Sequence, residues 1–205
     1  MDAMNHLRRL FRQQFHVTES DLSYMQSLLA PSGLNKGEPL LVRGRSSPIT
    51  GIVTSGCLRV YFTEKDGSDR VLYFTPEGWL VPNVEPFTGM ASTGLRIDAL
   101  EPTEVWILEE MTPASNCVVP HSDRIKRAFA ECALVNFQRR LVGGMRKSAS
   151  QRYAEFRRLY PDLESRIAQY HVAAYLGISP EFLSKLRRRH LRVAGNALST
   201  SNCLT

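Results

Sequence analysis

Gln169-Tyr-His-Val-Ala-Ala-Tyr-Leu-Gly-Ile-Ser-Pro-Glu-Phe-Leu-Ser-Lys-Leu-Arg-Arg-Arg189 decides how the rest of the chain is read. Val172, Ala173 and Leu176 make the apolar face of a short helix. Gly177 then stands where a sharp turn needs a residue tolerant of positive φ. Ile178 plugs the angle between two helices. Ser179 has the chemistry of an N-cap, and Pro180 follows at the first helical position, where proline is favoured. Phe182, Leu183 and Leu186 are expected to pack the second helix inward, which leaves Glu181, Ser184, Lys185, Arg188 and Arg189 outside. Two helices crossing at a small residue, Ala173, with a polar and basic outer face on the second, form a helix-turn-helix fitted to a DNA major groove. An ordinary helical hairpin with a basic exterior is the alternative. Ser179, Glu181, Ser184, Lys185, Arg188 and Arg189 are the candidate DNA-binding residues. Glu181 and Ser184 suit base edges, glutamate accepting from a cytosine amine. Lys185 and Arg188 suit a guanine edge or a phosphate, while Arg187, Arg189 and Arg192 suit phosphates, which position without specifying. Tyr170 and His171 fit core or surface roles better than base contacts.

The charge distribution agrees with this reading. Of 205 residues, those from Met1 to Asp123 carry 10 Lys/Arg against 15 Asp/Glu, and those from Arg124 to Arg192 carry 16 against 5. An acidic front of −5 is thus joined to a basic back of +11, the footprint of a polyanionic partner. Between Glu38 and Glu109 the character is β. Leu40–Arg43, Ile49–Thr54, Leu58–Phe62, Arg70–Phe74, Leu95–Leu100 and Val105–Leu108 are short branched and aromatic runs separated by turn residues, and Asp66-Gly67 is a hairpin signal. That spacing predicts a small barrel or sandwich. A helix is expected from Thr18, capped with Asp21, to Leu29, ended by Pro31, Gly33 and Gly37. Met1 to Phe15 reads as an amphipathic helix through Leu7, Leu10, Phe11 and Phe15. From Ser122 the three-and-four spacing of Ile125, Phe129, Cys132, Val135, Phe137, Leu141 and Met145 predicts a long helix, weakened at Gly143-Gly144. Val193 to Thr205 reads as a soft tail.

Several function classes are excluded. No run approaches the roughly 20 apolar residues of a membrane span, and the N-terminus lacks the apolar block of a secretory signal, so a cytoplasmic location is expected. Cys57, Cys117, Cys132 and Cys203 are too scattered for an iron–sulfur cluster and read as reduced, mostly buried thiols. The histidines are His6, His16, His121, His171 and His190, which leaves none between Gly37 and Glu109, so a metal-holding cupin-like enzyme is disfavoured. No catalytic, metal or cofactor motif stands out.

The order of an acidic β segment, a long helix and a helix-turn-helix resembles the Crp/Fnr family of regulators over nearly the whole chain. Gly51–Gly56 followed by Cys57-Leu58-Arg59-Val60-Tyr61 is similar to its G-x-V-x-x-G-x-x-R-x-Y segment. Phe74-Thr75-Pro76-Glu77-Gly78 is similar to the turn before its ligand pocket. Ala173 to Arg187 is similar to A-S-Y-L-G-I-T-P-E-S-L-S-R-I-R of one branch. The resemblance implies an α+β fold: an N-terminal double-stranded, jelly-roll-like β-roll sensor with N-terminal helices over residues 1–121, a long dimerisation helix over 122–150, and a (winged) helix-turn-helix over 151–192, with 193–205 as a flexible tail. It also implies a homodimer on a palindromic operator, with half-sites about 34 Å apart, and a small-molecule effector in the β-roll. The implied pocket residues are Gly78, Asn83, Glu85, Thr93 and Arg96. The sequence argues against cyclic AMP: the family's Gly-Glu falls on Pro82-Asn83 and its Arg-Ser-Ala on Thr93-Gly94-Leu95, so the phosphate would lose its bidentate arginine. Only Leu191-Arg192-Val193 is left for a wing. The competing reading is a sensor or protein-interaction module that does not bind DNA.

Overall fold

The computed structural model describes residues 5, 18–27, 29–40, 51–81, 94–108 and 122–201. It divides into two compact units, Met1–Val142 and Gly143–Thr205. The amphipathic segment expected over Met1 to Phe15 lies outside the described residues apart from residue 5, and so do residues 41–43 of the first expected strand.

In the first unit a short helix α1 (Glu19–Ser27) begins as expected. The Thr18 hydroxyl accepts from the Asp21 backbone N–H at 3.2 Å, and the Asp21 carboxylate accepts from the Thr18 N–H at 2.8 Å, a reciprocal cap built with aspartate. The helix stops earlier than expected. Leu29–Leu34 is strand β1, and it contains Pro31 and Gly33. Proline is admissible there because β1 is the edge of its sheet, where a missing N–H breaks no ladder.

Strands β2 (Gly51–Ser55), β3 (Cys57–Thr63), β4 (Asp69–Pro76), β5 (Leu80–Val81), β6 (Arg96–Ala99) and β7 (Thr103–Leu108) are the other strands among the described residues. They form two antiparallel sheets, one ordered β1-β7-β2-β5 and one ordered β4-β3-β6. Alternation places Leu58 and Val60 of β3 on the inner face, where they join Val53, Val81, Val105, Ile97, Ala99 and Leu34 in one buried cluster between the sheets. The Asp66-Gly67 turn closes the β3–β4 hairpin, with Gly67 at φ 83°.

Gly56 carries the chain from one sheet to the other. Its φ is 86°, and a Cβ there would sit 2.5 Å from the Pro102 carbonyl oxygen, so both backbone conformation and space demand glycine. On the outer face of β3, Arg59 is buried. Its Nε donates to Asp98 Oδ1 at 2.6 Å and its Nη2 to Asp98 Oδ2 at 2.8 Å, while Nη1 donates to Asp69 at 3.0 Å. The guanidinium also lies 3.8 Å from the centroid of the Tyr61 ring. Burial alone would lower its pKa, but the hydrogen bond and charge of Asp98, helped by Asp69, outweigh that and raise it.

The long helix α2 spans Ser122–Arg146 and remains helical through Gly143-Gly144. It ends four residues before the expected Ser150. The break is a capping box: the Ser148 hydroxyl accepts from the Gln151 N–H at 3.3 Å, and the Gln151 side chain accepts from the Ser148 N–H at 2.9 Å. Helix α3 (Ala149–Leu159) starts there, followed by α4 (Leu163–Arg166), α5 (Gln169–Leu176) and α6 (Pro180–Ser201). The segment from Val193, expected to be a soft tail, continues α6 to Ser201, and among the described residues no strand follows it. No helix among the described residues is long and apolar enough to cross a membrane.

Candidate nucleic-acid interface

Helices α5 and α6 meet at the turn the sequence predicts. Gly177 adopts the left-handed conformation, φ 65° and ψ 40°, and its N–H returns to the Ala173 carbonyl. Ile178 N–H bonds the same carbonyl at 3.1 Å. Ser179 caps α6 by accepting from the Phe182 N–H at 3.2 Å. Its hydroxyl also bonds the Glu181 carboxylate, and this bond, with backbone and Lys185 contributions, holds that carboxyl below its ordinary pKa. Glu181 therefore stands ionised at the mouth of the helix.

The inner faces are closed. Val172, Ala173, Leu176, Leu183 and Leu186 are buried, as are Phe156 and Tyr160 of the preceding segment. Tyr175 is buried with them, its ring 5.6 Å from Phe156 and 6.0 Å from Tyr160. His171 is buried and Tyr170 exposed, in line with core and surface roles. Arg152 ties the two ends of the frame together, donating to the Leu176 carbonyl at 3.0 Å and to the Lys147 carbonyl at 2.7 Å.

The outer face of α6 carries the expected groups with three differences. Glu181, Lys185, Arg188 and Arg189 are exposed, and Ser184 is half-buried. Phe182 is not packed inward but is 43% exposed. At about 100° per residue, Phe182 falls at the rim of the buried arc marked by Leu183 and Leu186 rather than at its centre. Arg187 does not point freely outward: its Nε lies 3.1 Å from Glu164, which also accepts from the Tyr153 hydroxyl at 2.9 Å. Sequence reasoning missed Glu164, because the contact joins α4 to α6 and has no local signature. Burial and the Glu164 carboxylate push the Tyr153 phenol up to about 12. The Tyr153 ring packs edge-on against His190, 5.1 Å between centroids. Arg192 lies in α6, outside the described side chains.

Of the residues implied for an effector pocket, Gly78 and Arg96 are described. Gly78 bonds β2 through the Val53 carbonyl at 2.8 Å, on the four-stranded sheet. Arg96 is exposed at the start of β6, on the other sheet. Asn83, Glu85 and Thr93 lie outside the described residues. No group of His, Cys, Asp and Glu suited to a metal ion occurs among the described residues.

No family model matches the chain, and no curated protein matches it significantly. Solved structures do match. FixK2 from Bradyrhizobium japonicum is 19% identical, with 82% of this chain and 86% of that one covered and a TM-score of 0.62. The c-di-GMP-responsive global regulator CLP of Xanthomonas campestris is 15% identical over 87% of this chain and 93% of that one, with a TM-score of 0.61. A putative transcriptional regulator of the Crp/Fnr family from Eubacterium rectale is 17% identical over 91% of this chain and 89% of that one, with a TM-score of 0.58. This chain has the α+β fold of the Crp/Fnr regulators.

Proposed function

We propose that the chain is a DNA-binding transcription regulator that reads a palindromic operator as a homodimer, through residues 180–189 of α6. The observation that carries this reading is the outer face of α6. Glu181, Lys185, Arg188 and Arg189 are exposed together on a helix whose inner face is fixed by Leu183 and Leu186. Ionised Glu181 is suited to accept from a base amine, and the cations to meet phosphates or a guanine edge. Ser179 serves through its cap, and Arg187 holds the helix by its ion pair with Glu164.

The homodimer reading is supported by α2. Leu134, Phe137, Leu141 and Met145 are at least half exposed, at three- and four-residue intervals along one side. A small-molecule effector of the β unit, other than cyclic AMP, is the expected modulator of the dimer, acting by differential affinity for its DNA-competent state. The test is anisotropy of a labelled duplex from the promoter region beside the gene, at rising salt. Tight binding that weakens steeply with salt is expected. A folded dimer that fails to bind at low salt, with or without candidate effectors, would leave only the reading as a non-DNA-binding module.

A further inference from the structure

We infer that Phe182 selects sequence, by placing its ring against a thymine 5-methyl group in each half-site; this rests on the DNA-binding reading above. Phe182 lies in the first turn of α6, the part of a recognition helix that reaches base edges. It is 43% exposed, while its neighbour Leu183 is fully buried and Leu186 is 3% exposed. Those two anchors fix the rotation of the helix, and at that rotation Phe182 stands at the exposed rim of the buried face. Its N–H is held by the Ser179 hydroxyl, which fixes the backbone at the same point.

The surroundings of the ring define what can cover it. Phe182, Lys185 and Arg189 follow one another at three- and four-residue intervals, which sets them in one row on the helix. Both cations are exposed. An apolar protein surface closing over Phe182 would have to desolvate Lys185 and Arg189 without compensation. A major groove meets both demands, since phosphates flank it and the thymine methyl is the apolar group on its floor. The segment resembled by Ala173 to Arg187 has serine at this place. A serine there would offer a hydroxyl to any base edge or phosphate, whereas phenylalanine offers apolar surface and prefers the methyl. The position therefore distinguishes this chain's operator from those read by its serine-bearing counterparts.

The experiment uses the full chain and duplexes that the wild type selects from a random pool. Each thymine of the selected site is replaced in turn by deoxyuridine, which removes the methyl and nothing else. The expected result is one position per half-site at which the change weakens wild-type binding about three- to five-fold. Phe182→Ala and Phe182→Ser, checked for folding by circular dichroism, should show no penalty at that position while keeping the salt dependence of the wild type. A penalty that persists in Phe182→Ala, or no methyl dependence at any thymine of the wild-type site, overturns the inference and leaves DNA binding standing. If no sequence is selected and no salt-dependent binding occurs, the DNA-binding reading fails and the inference falls with it.

Discussion

Arg59 carries a charge inside the β unit, and the arrangement around it explains how. Two of its nitrogens face Asp98 in a bidentate pair, a third reaches Asp69, and Tyr61 covers one face of the guanidinium. Removing Asp98 leaves the buried guanidinium only the partly exposed Asp69, and breaking a buried pair costs at most about 3–5 kcal/mol. Asp98→Ala should therefore lower the stability of the β unit by up to that amount. Joint replacement of Arg59 and Asp98 by Met and Leu should recover most of it. Trp79 and Trp106 are the two tryptophans of the chain and both lie in this unit, so urea unfolding followed by tryptophan fluorescence reads the effect selectively. Tyr153 offers a second test at the same scale. Its phenol ionises at about 12 when folded and near 10.0 otherwise. The unfolded chain thus loses this proton first, and the stabilisation is intact below pH 10.0 and lost as pH rises towards 12. Tyr153→Phe should remove that part of the alkaline loss. Thermal unfolding of the two proteins by far-UV circular dichroism, at pH values on either side of this window, gives the difference; identical pH dependence would contradict the role given to the Tyr153–Glu164 contact.

At the scale of elements, α2 presents a row of exposed apolar side chains among the described residues. A row of Leu134, Phe137, Leu141 and Met145 turned to water is unfavourable by roughly 25 cal/mol per Å² of apolar surface left uncovered. A second copy of the helix would cover it by coiled-coil packing. Phe137→Asp with Leu141→Asp places four carboxylates in that seam and should shift sedimentation equilibrium from dimer to monomer. DNA affinity should fall with it, by at least ten-fold, because two half-sites are no longer held together. A dimer that survives the double replacement would place the interface elsewhere. The helices that follow are set by local chemistry. Ser148 and Gln151 end one helix and start the next, and Arg152 then ties Lys147 to the end of α5.

For the whole molecule, what could be read from the sequence was what is encoded locally. Ser179-Pro180 at a helix start and Gly177 before it are caps and turns, whose geometry depends on a few adjacent residues, and they formed as expected. The alternating runs of β2, β3, β4, β6 and β7 were visible for the same reason. Strand β1 was hidden, because Pro31 and Gly33 look like breakers until the edge position is known. The break at Ser148 carried a readable signal, Ser-x-x-Gln, which the apolar spacing on either side obscured. Phe182 was misplaced because hydrophobicity alone suggested burial, whereas it lies at the rim of the face that Leu183 and Leu186 bury. Asp98 and Glu164, which hold Arg59 and Arg187, lie 39 and 23 residues away in sequence and become visible only after folding. The central claim is that α6 meets DNA through its exposed cations. The most direct measurement is the slope of log affinity against log salt for the wild type and for Lys185→Ala/Arg188→Ala, on the same operator. If both residues contact phosphates in each half-site, four contacts are lost per dimer, and the slope should become shallower by about 3–4 together with a large loss of affinity. An unchanged slope and affinity in a folded double mutant would contradict the account.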